Sequence, residues 1–430
     1  MSGSSLFAHR DFRLLLLGQT TSQFGTQVSG VAIPLLAVLA LDASPFEVGL
    51  VSASSTLAFA LIGLPAGAWL DSMHRRPVLI ASDVVRAVLL ATIPLAAVLG
   101  ILTIAHLVVV SLLAGFARVF FDVGYSSYIP TVIGKGRLLA GNSAMETIRA
   151  SGQVVGPGVG GFLVTLLGAA AVVLVQAVTF AVSAVCLLLI RTREEALPVR
   201  QERPRLWPQI REGLAFVARN RILRATALAS AASNFSFAVA SSVNFIFMSR
   251  SLDLSATAIG LIIAGGSVTV MIAAAITPRM GRAVGTARII WLSLAVTGPF
   301  TILAPLAQPG WGVVLLIVSI AAAEFGQIVY AITNVSLRQR LTPDRMLSRV
   351  TATMRFLIMG TFPAGALLGG VLGELSIRGT LLFVAGVAIL VPIPLYLALR
   401  GTRDVDEIPE WQSAPEPGAV AEEPDGPRPR

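Results

Sequence analysis

The chain has 430 residues, of which 55% are hydrophobic and only 13% charged, against roughly 25% charged in an ordinary soluble domain. Charged faces at helical spacing, which a large soluble helical protein needs, are replaced by recurring runs of about 20 apolar residues, each long enough to cross a hydrocarbon core. The net charge of +9 sits in short connections rather than on a soluble module, which argues against nucleic acid as a partner.

The runs predict an all-α membrane protein with twelve spans. They fall near 12–40, 47–71, 77–99, 103–128, 142–168 and 169–190, then 221–249, 255–279, 286–306, 311–335, 347–374 and 379–400. The first is too long for a cleavable leader, and no small-residue cleavage site follows it. Cys186 falls inside the sixth span, where packing explains it better than reactivity. His9, His74 and His106 are scattered, so no metal site is expected. Arg and Lys crowd the chain ends, the even-to-odd connections and the central connection, among them Arg10, Arg13, Lys135, Arg137, Arg338 and Arg340. The opposite connections offer little beyond Arg250 and Arg378. That asymmetry places both termini in the cytoplasm.

Residues 1–190 then form a first six-helix bundle and 221–400 a second. Between them, "RLWPQIREGLAFVARN" (205–220) suits an amphipathic helix lying on the cytoplasmic membrane surface, although a plain solvated linker competes with that reading. Residues 401–430 carry eight acids and three arginines among prolines, and read as a disordered cytoplasmic tail. The halves resemble each other. A shift of 208 lays 136–163 over 344–371, with Gly152 on Gly360 and Gly161 on Gly369. A shift of 211 lays "SPFEVGL" (44–50) over "SATAIGL" (255–261). Two parallel repeats of six spans are the plan of transporters whose site lies between the halves.

"GLPAGAWLDSMHRRPVLI" (63–80) resembles the loop signature between spans two and three of the major facilitator superfamily. Gly67, Asp71, Arg75 and Arg76 match it, while Ser72 and His74 depart from it. "SGQVVGPGVGGFL" (151–163) resembles a second signature, in span five, through Gly152, Gly156, Pro157, Gly160 and Gly161. In that superfamily the second signature marks exporters that exchange substrate for protons. "DFRLLLLGQTTSQFG" (11–25) and "SDVVRAVLL" (82–90) are similar to the branch that holds macrolide efflux pumps and the enterobactin exporter. The resemblance covers about residues 1–400. It implies the major facilitator fold, two pseudo-symmetric six-helix bundles, in a bacterial cytoplasmic membrane.

Both signatures have a physical reading. Gly152, Gly156 and Gly160 recur every four residues and make a smooth stripe that lets a helix approach closely. Pro157 removes one backbone donor and bends the span. The expected result is a tight seam against a helix of the other half, sealing one side of a cavity; ordinary packing without gating is the rival reading. Asp71, at the cytoplasmic end of span two, is poised to meet the positive N-terminus of a neighbouring helix, span eleven by expectation, with Arg355 nearby. Arg75 and Arg76 can hold a second acid. The matching stretch of the second half, 277–290, lacks that Asp, so the latch would be one-sided.

Charges inside spans are functional pointers, because each is costly against lipid. Asp83 with Arg86 and Glu146 with Arg149, both at i, i+3, read best as structural salt bridges. Arg118 and Asp122 are i, i+4 on span four. Glu324 sits about midway along span ten with no basic neighbour at i±3 or i±4. Burial disfavours the charged form of a carboxyl, so such an acid can carry a proton. Arg118 lies at a similar depth and is expected to face it. By analogy with the superfamily, spans one, four, seven and ten line the cavity. Gln19, Gln23 and Gln27 on span one, Asn234 and Ser241 on span seven, and Gln327, Tyr330 and Asn334 on span ten would be its polar lining; a stripe used only for helix packing competes. The reading is a proton-driven exporter of a moderately hydrophobic small molecule such as an antibiotic or siderophore. It would work as a monomer in the lipid bilayer, without cofactor. An importer or uniporter of the same fold is disfavoured by the span-five signature. A sensor or scaffold fits poorly with mid-membrane charge. An enzyme would need a nucleophile with its base or a metal cluster, and no Walker sequence marks an ATP site.

Overall fold

The computed structural model describes residues 9–70, 73–134, 138–192, 194 and 206–408. Every regular element among them is helical, and twelve helices are long and apolar enough to cross a membrane. Spans one to six are Arg10–Ala40, Pro45–Leu70, Arg75–Val98, Ile104–Ile133, Leu138–Leu167 and Ala169–Leu189. A linker helix, Leu206–Arg219, follows. Span seven, Arg221–Ile246, continues into a π-helical turn, Phe247–Ser251. Spans eight to twelve are Ala256–Val284, Arg288–Leu306, Val313–Leu341, Asp344–Leu375 and Ile377–Leu399. An even number of crossings leaves both described chain ends on one face, the terminal face; the other is the distal face.

Spans two, four, eight and twelve start on the distal face, and each start is capped. Ser44 and Glu47 cap one another's backbone N–H groups at span two (2.9 and 3.3 Å), a reciprocal capping box. Thr103, Ser255 and Ser376 accept from the N–H three residues on, which satisfies donors that a helix start leaves unpaired. On the terminal face the helices outrun the hydropathy. Spans four, eight and ten pass residues 128, 279 and 335 and end at Ile133, Val284 and Leu341. Polar residues continue a helix into water, so hydropathy marks the membrane rather than the helix end. Span nine loosens into a 3₁₀ stretch at Gly298–Ile302, where Gly298 lies against the Ala388 carbonyl of span twelve and Pro299 removes a donor.

Spans one to six pack on one another, as do seven to twelve, and the two sets meet where span five lies on span eight and span two on span eleven. Both crossings are built on paired glycines. A methyl group in place of the Gly161 hydrogen would sit 3.0 Å from the Gly260 Cα, and one on Gly49 would sit 3.1 Å from the Gly370 Cα. These crossings are copies, since 161 and 370 differ by 209 and 49 and 260 by 211. The expected partner of Gly161 was Gly369; the true equivalent is Gly370. The pairs Gly160–Gly161 and Gly369–Gly370 look alike at either register, so the sequence alone slipped by one.

The glycine stripe of span five also turns out differently. Gly152, Gly156 and Gly160 face span one of their own half: Gly156 abuts Gln27 and Gly160 abuts the Val28 carbonyl. Gly161 and the Pro157 carbonyl, on the adjacent side of span five, make the contact with span eight. Two neighbouring faces of one helix are smooth for two different partners.

Each half is stapled on the terminal face by the segment that follows its last span. Glu194 accepts from the N–H groups of Arg75 and Arg76 (2.7 and 2.5 Å), capping span three. Asp404 accepts from the Thr286 N–H (2.9 Å) ahead of span nine. Arg340 binds the Asp406 carboxylate and the carbonyls of Asp406 and Ile408, and Val405 and Ile408 are buried. Residues 401–408 are thus packed, contrary to the reading of 401–430 as a disordered tail; the rest of that segment lies outside the described residues. The linker segment is helical over Leu206–Arg219 and docks on span eleven. Gly213 abuts Thr353, and Arg349 pairs with Glu212 at 2.5 Å.

Candidate substrate cavity

Span four shows how the cavity is built. On one flank Gly115 packs on Ser55 and Ala58 of span two. On another Tyr125 donates to the Met145 sulfur of span five (3.1 Å). A third flank, through Phe121 and Tyr128, is buried in the first half. Spans two and five are the helices that meet the other half, so the sector between them opens on the space between the halves. Arg118 and Asp122 occupy that sector, paired at 3.5 Å and exposed by 61% and 44%.

Span ten repeats the arrangement. Gly326 packs on Thr297 of span nine, and Tyr330 reaches span seven. Ile320 and Glu324 lie beside Gly266 of span eight, whose added methyl would stand 3.7 Å from Glu324 Cγ. By helical spacing Gln327 falls between these flanks. Glu324 is half-buried and makes no hydrogen bond or ion pair among the described residues. Arg118 is paired with Asp122 on its own helix, one turn away. Glu146 and Arg149 pair as expected.

Several expected lining residues are turned into packing. Tyr330 is buried; its hydroxyl meets Ser230 Oγ (2.7 Å) and donates to the Thr226 carbonyl (3.0 Å). Asn334 donates to Tyr330 and Ser230 (3.3 and 3.4 Å). Asn234 ties span seven to the Ile358 carbonyl of span eleven (2.7 Å). Ser241 bonds the Ala238 carbonyl of its own helix. Gln27 fills the seam with span five. Gln19, Gln23 and Gln327 are half-buried, and Gln19 Oε1 lacks a hydrogen-bond partner among the described residues. Within apolar helices an amide bonds whatever carbonyl it can reach, and residue type does not say which side that is.

The loop signature is also read differently. Asp71 lies outside the described residues, and Gly67 continues the backbone of span two. Arg75 and Arg76 hold the Glu194 carboxylate through their backbone N–H groups, while the Arg76 guanidinium donates to the Leu187 and Leu188 carbonyls (3.0 and 2.8 Å), closing the end of span six. Arg355 stacks on Phe59 of span two, 5.0 Å from the ring centroid, across the halves. Sequence reasoning missed Glu194, whose contacts lie over 110 residues away. It also missed the distal grip of Arg250, although that residue was visible as one of few cations on its side. Arg250 donates to Asp42 (2.6 Å) and to the carbonyls of Val38 and Ala43 (both 3.1 Å), all in the first half. Glu374 adds an acceptor for the Phe46 N–H (3.0 Å), and Thr165 meets Thr257 (2.9 Å). These bonds join the halves at their distal ends.

The geometry has relatives. The chain is similar to the multidrug efflux pump Tap of Mycolicibacterium fortuitum, 27% identical over 84% of this chain and 88% of that one. Its fold matches a bacterial homologue of the iron transporter ferroportin in an inward-facing state, with a TM-score of 0.74 at 17% identity over 92% and 99% of the two chains. It also matches a bacterial homologue of the lysosomal transporter Spinster, inward-facing and occupied, with a TM-score of 0.70 at 13% identity over 96% and 100%. The family model described as transmembrane secretion effector, MFS_3, matches residues 1–426. Twelve apolar helices, paired halves and this match together make the chain a multi-pass membrane transporter of the major facilitator superfamily, belonging to the transmembrane secretion effector family.

Proposed function

We propose that the protein exports a moderately hydrophobic small molecule in exchange for protons, as a monomer in the bacterial cytoplasmic membrane with its terminal face in the cytoplasm. The observation that carries this reading is Glu324, a half-buried acid midway along span ten, beside Gly266 of span eight and with no partner among the described residues. A carboxyl there can take a proton when the cavity is dry and release it when the cavity is wet. Asp122 differs, because Arg118 stands beside it. The name of the Tap relative supports export, and the Arg and Lys asymmetry supports the orientation.

The test is ethidium and Nile red uptake into inverted vesicles driven by a pH gradient, for wild type, Glu324→Gln and Asp122→Asn. Glu324→Gln is expected to lose gradient-driven uptake at least about tenfold and to keep downhill exchange, since the cavity shape is preserved. Full gradient-driven uptake in Glu324→Gln with loss in Asp122→Asn would move the role to span four. Full activity in both would leave antiport without a carrier.

A further inference from the structure

The two halves start with the same pattern. "RDFR" (10–13) opens span one and "RILR" (221–224) opens span seven. Arg10 and Arg221 differ by 211, the register that relates Gly49 to Gly260. Arg191, just past span six, and Arg400, at the end of span twelve, differ by 209, the register that relates Gly161 to Gly370. Each half therefore sets three arginines at its terminal face: Arg10, Arg13 and Arg191 in the first, Arg221, Arg224 and Arg400 in the second. All of them are exposed.

What differs is the acid among them. In the first half an Asp11 carboxylate oxygen stands 3.8 Å from the Arg10 guanidinium. The other oxygen accepts from the N–H groups of Arg191 and Thr192 (3.1 and 2.8 Å) and from the Thr192 hydroxyl (2.6 Å). One anion thus serves the cluster and ties span one to the end of span six. In the second half Ile222 takes the place of Asp11. There Arg221 reaches the Leu397 carbonyl of span twelve (2.6 Å), one turn before Arg400, and Arg224 folds back to the Ala218 carbonyl (3.2 Å), next to Arg219. Arg219, Arg221, Arg224 and Arg400 make no ion pair among the described residues. The neighbouring acids are engaged elsewhere: Glu212 with Arg349, Asp404 with Thr286, Asp406 with Arg340 and Glu407 with the Arg403 N–H.

The position of the cluster decides what can supply the missing anion. Span ten meets span seven through Thr226 and Ser230. By helical spacing Arg221, Arg224 and Leu228 lie on the opposite side of span seven, away from the cavity. Leu228 is exposed there, as are Ile393, Tyr396 and Leu397 on the adjoining span twelve. Tyr396 stands edge-on to Trp291 of span nine, with ring centroids 5.0 Å apart; such aromatics gather at the membrane–water boundary. Four cations therefore stand at headgroup level beside an apolar surface that suits acyl chains.

We propose that Arg219, Arg221, Arg224 and Arg400 bind the headgroup of an anionic phospholipid from the leaflet on the terminal face. The lipid phosphodiester takes the place that Asp11 fills in the first half. Guanidinium groups donate to its oxygens, and its acyl chains run along Leu228 and Leu397. The site is independent of the transport reading and holds for either direction of transport.

The test titrates the full chain, purified in neutral detergent, with dioleoylphosphatidylglycerol and follows bound lipid by native mass spectrometry. Dioleoylphosphatidylcholine is the neutral control. Arg221→Gln/Arg224→Gln should weaken phosphatidylglycerol binding about tenfold or more, at about a factor of five per cation, and leave phosphatidylcholine binding unchanged. Arg221→Lys/Arg224→Lys keeps the charge without the planar fork and should stay within a few-fold of wild type. Arg10→Gln/Arg13→Gln, where Asp11 already serves, should stay near wild type. Ile222→Asp leaves every arginine in place, copies the acid of the first half, and should lose binding as the glutamine pair does. Phosphatidylglycerol binding that is unchanged in Arg221→Gln/Arg224→Gln, or that falls as far in Arg10→Gln/Arg13→Gln, would reduce these arginines to charges that orient the chain. Displacement of the lipid by inorganic phosphate at equal concentration would overturn the lipid and leave a site for a free anion.

Discussion

At the residue scale, the glycines of span five divide the labour between two neighbours. Gly156 lies against Gln27 of span one, so a leucine there forces apart two helices of the same half. Overpacking of that kind costs about 1–3 kcal/mol, and Gly156→Leu should lower the melting temperature of the purified protein. Gly161 lies against Ala256 and Gly260 of span eight. Gly161→Leu should leave each half folded and wedge the halves apart at the distal end. Thiol labelling at an introduced Ser44→Cys, in a Cys186→Ser background, checks this: labelling from the distal side should rise several-fold in Gly161→Leu and stay unchanged in Gly156→Leu. Equal labelling in both would remove the distinction. The motif itself was legible because small residues at a four-residue spacing always allow close approach. Which helix approaches was not, because Gly160 and Gly161 sit one residue apart and face different partners. The polar residues were legible only as a set: Glu324 and Tyr330 look alike in the sequence, yet one lies beside Gly266 without a partner among the described residues and the other is bonded to Ser230.

At the element scale, twelve spans could be read from composition, and their ends only in part. Apolar runs stop at the membrane boundary, whereas Arg338 and Arg340 continue span ten to Leu341. The staples on the terminal face were illegible, since nothing local in "RTRE" (191–194) or "RDVDE" (403–407) says that an acid will cap a helix 118 or more residues away. The structure makes them equivalent, each binding backbone N–H groups at or just ahead of the start of the third span of its half. Residues 403–408 bury Val405 and Ile408 and occupy Arg340. Truncation after Arg400 should therefore cost about 3 kcal/mol or more, from two apolar side chains at about 1.5–3 kcal/mol each. Truncation after Ile408 keeps all of these contacts and should melt like the full chain. Thermal unfolding of the two truncated proteins in detergent checks this; equal melting would mean that the clip adds nothing.

At the scale of the whole molecule, two halves with copied internal packing meet on small patches. Helix caps, staples and polar side chains tie spans within each half. The hydrogen bonds between halves among the described residues, through Arg250, Glu374 and Thr165, gather at the distal end. A transporter that exposes its cavity first to one side and then to the other must break this set and keep the rest. Thr165 and Thr257 report on that step most directly. Their hydroxyl oxygens are 2.9 Å apart across the halves, which makes the pair a suitable place for a disulfide. Thr165→Cys/Thr257→Cys, made with Cys186→Ser so that no other thiol competes, should form that bond under mild oxidation. Each half stays intact in the cross-linked protein, because the bond joins only the distal ends of spans five and eight. Substrate should still bind from the terminal face, while net transport should fall to the level of empty vesicles and return on reduction. Transport that persists with the cross-link complete would mean that spans five and eight need not separate, and the cavity would then have to open to the distal side by another route, between spans two and eleven.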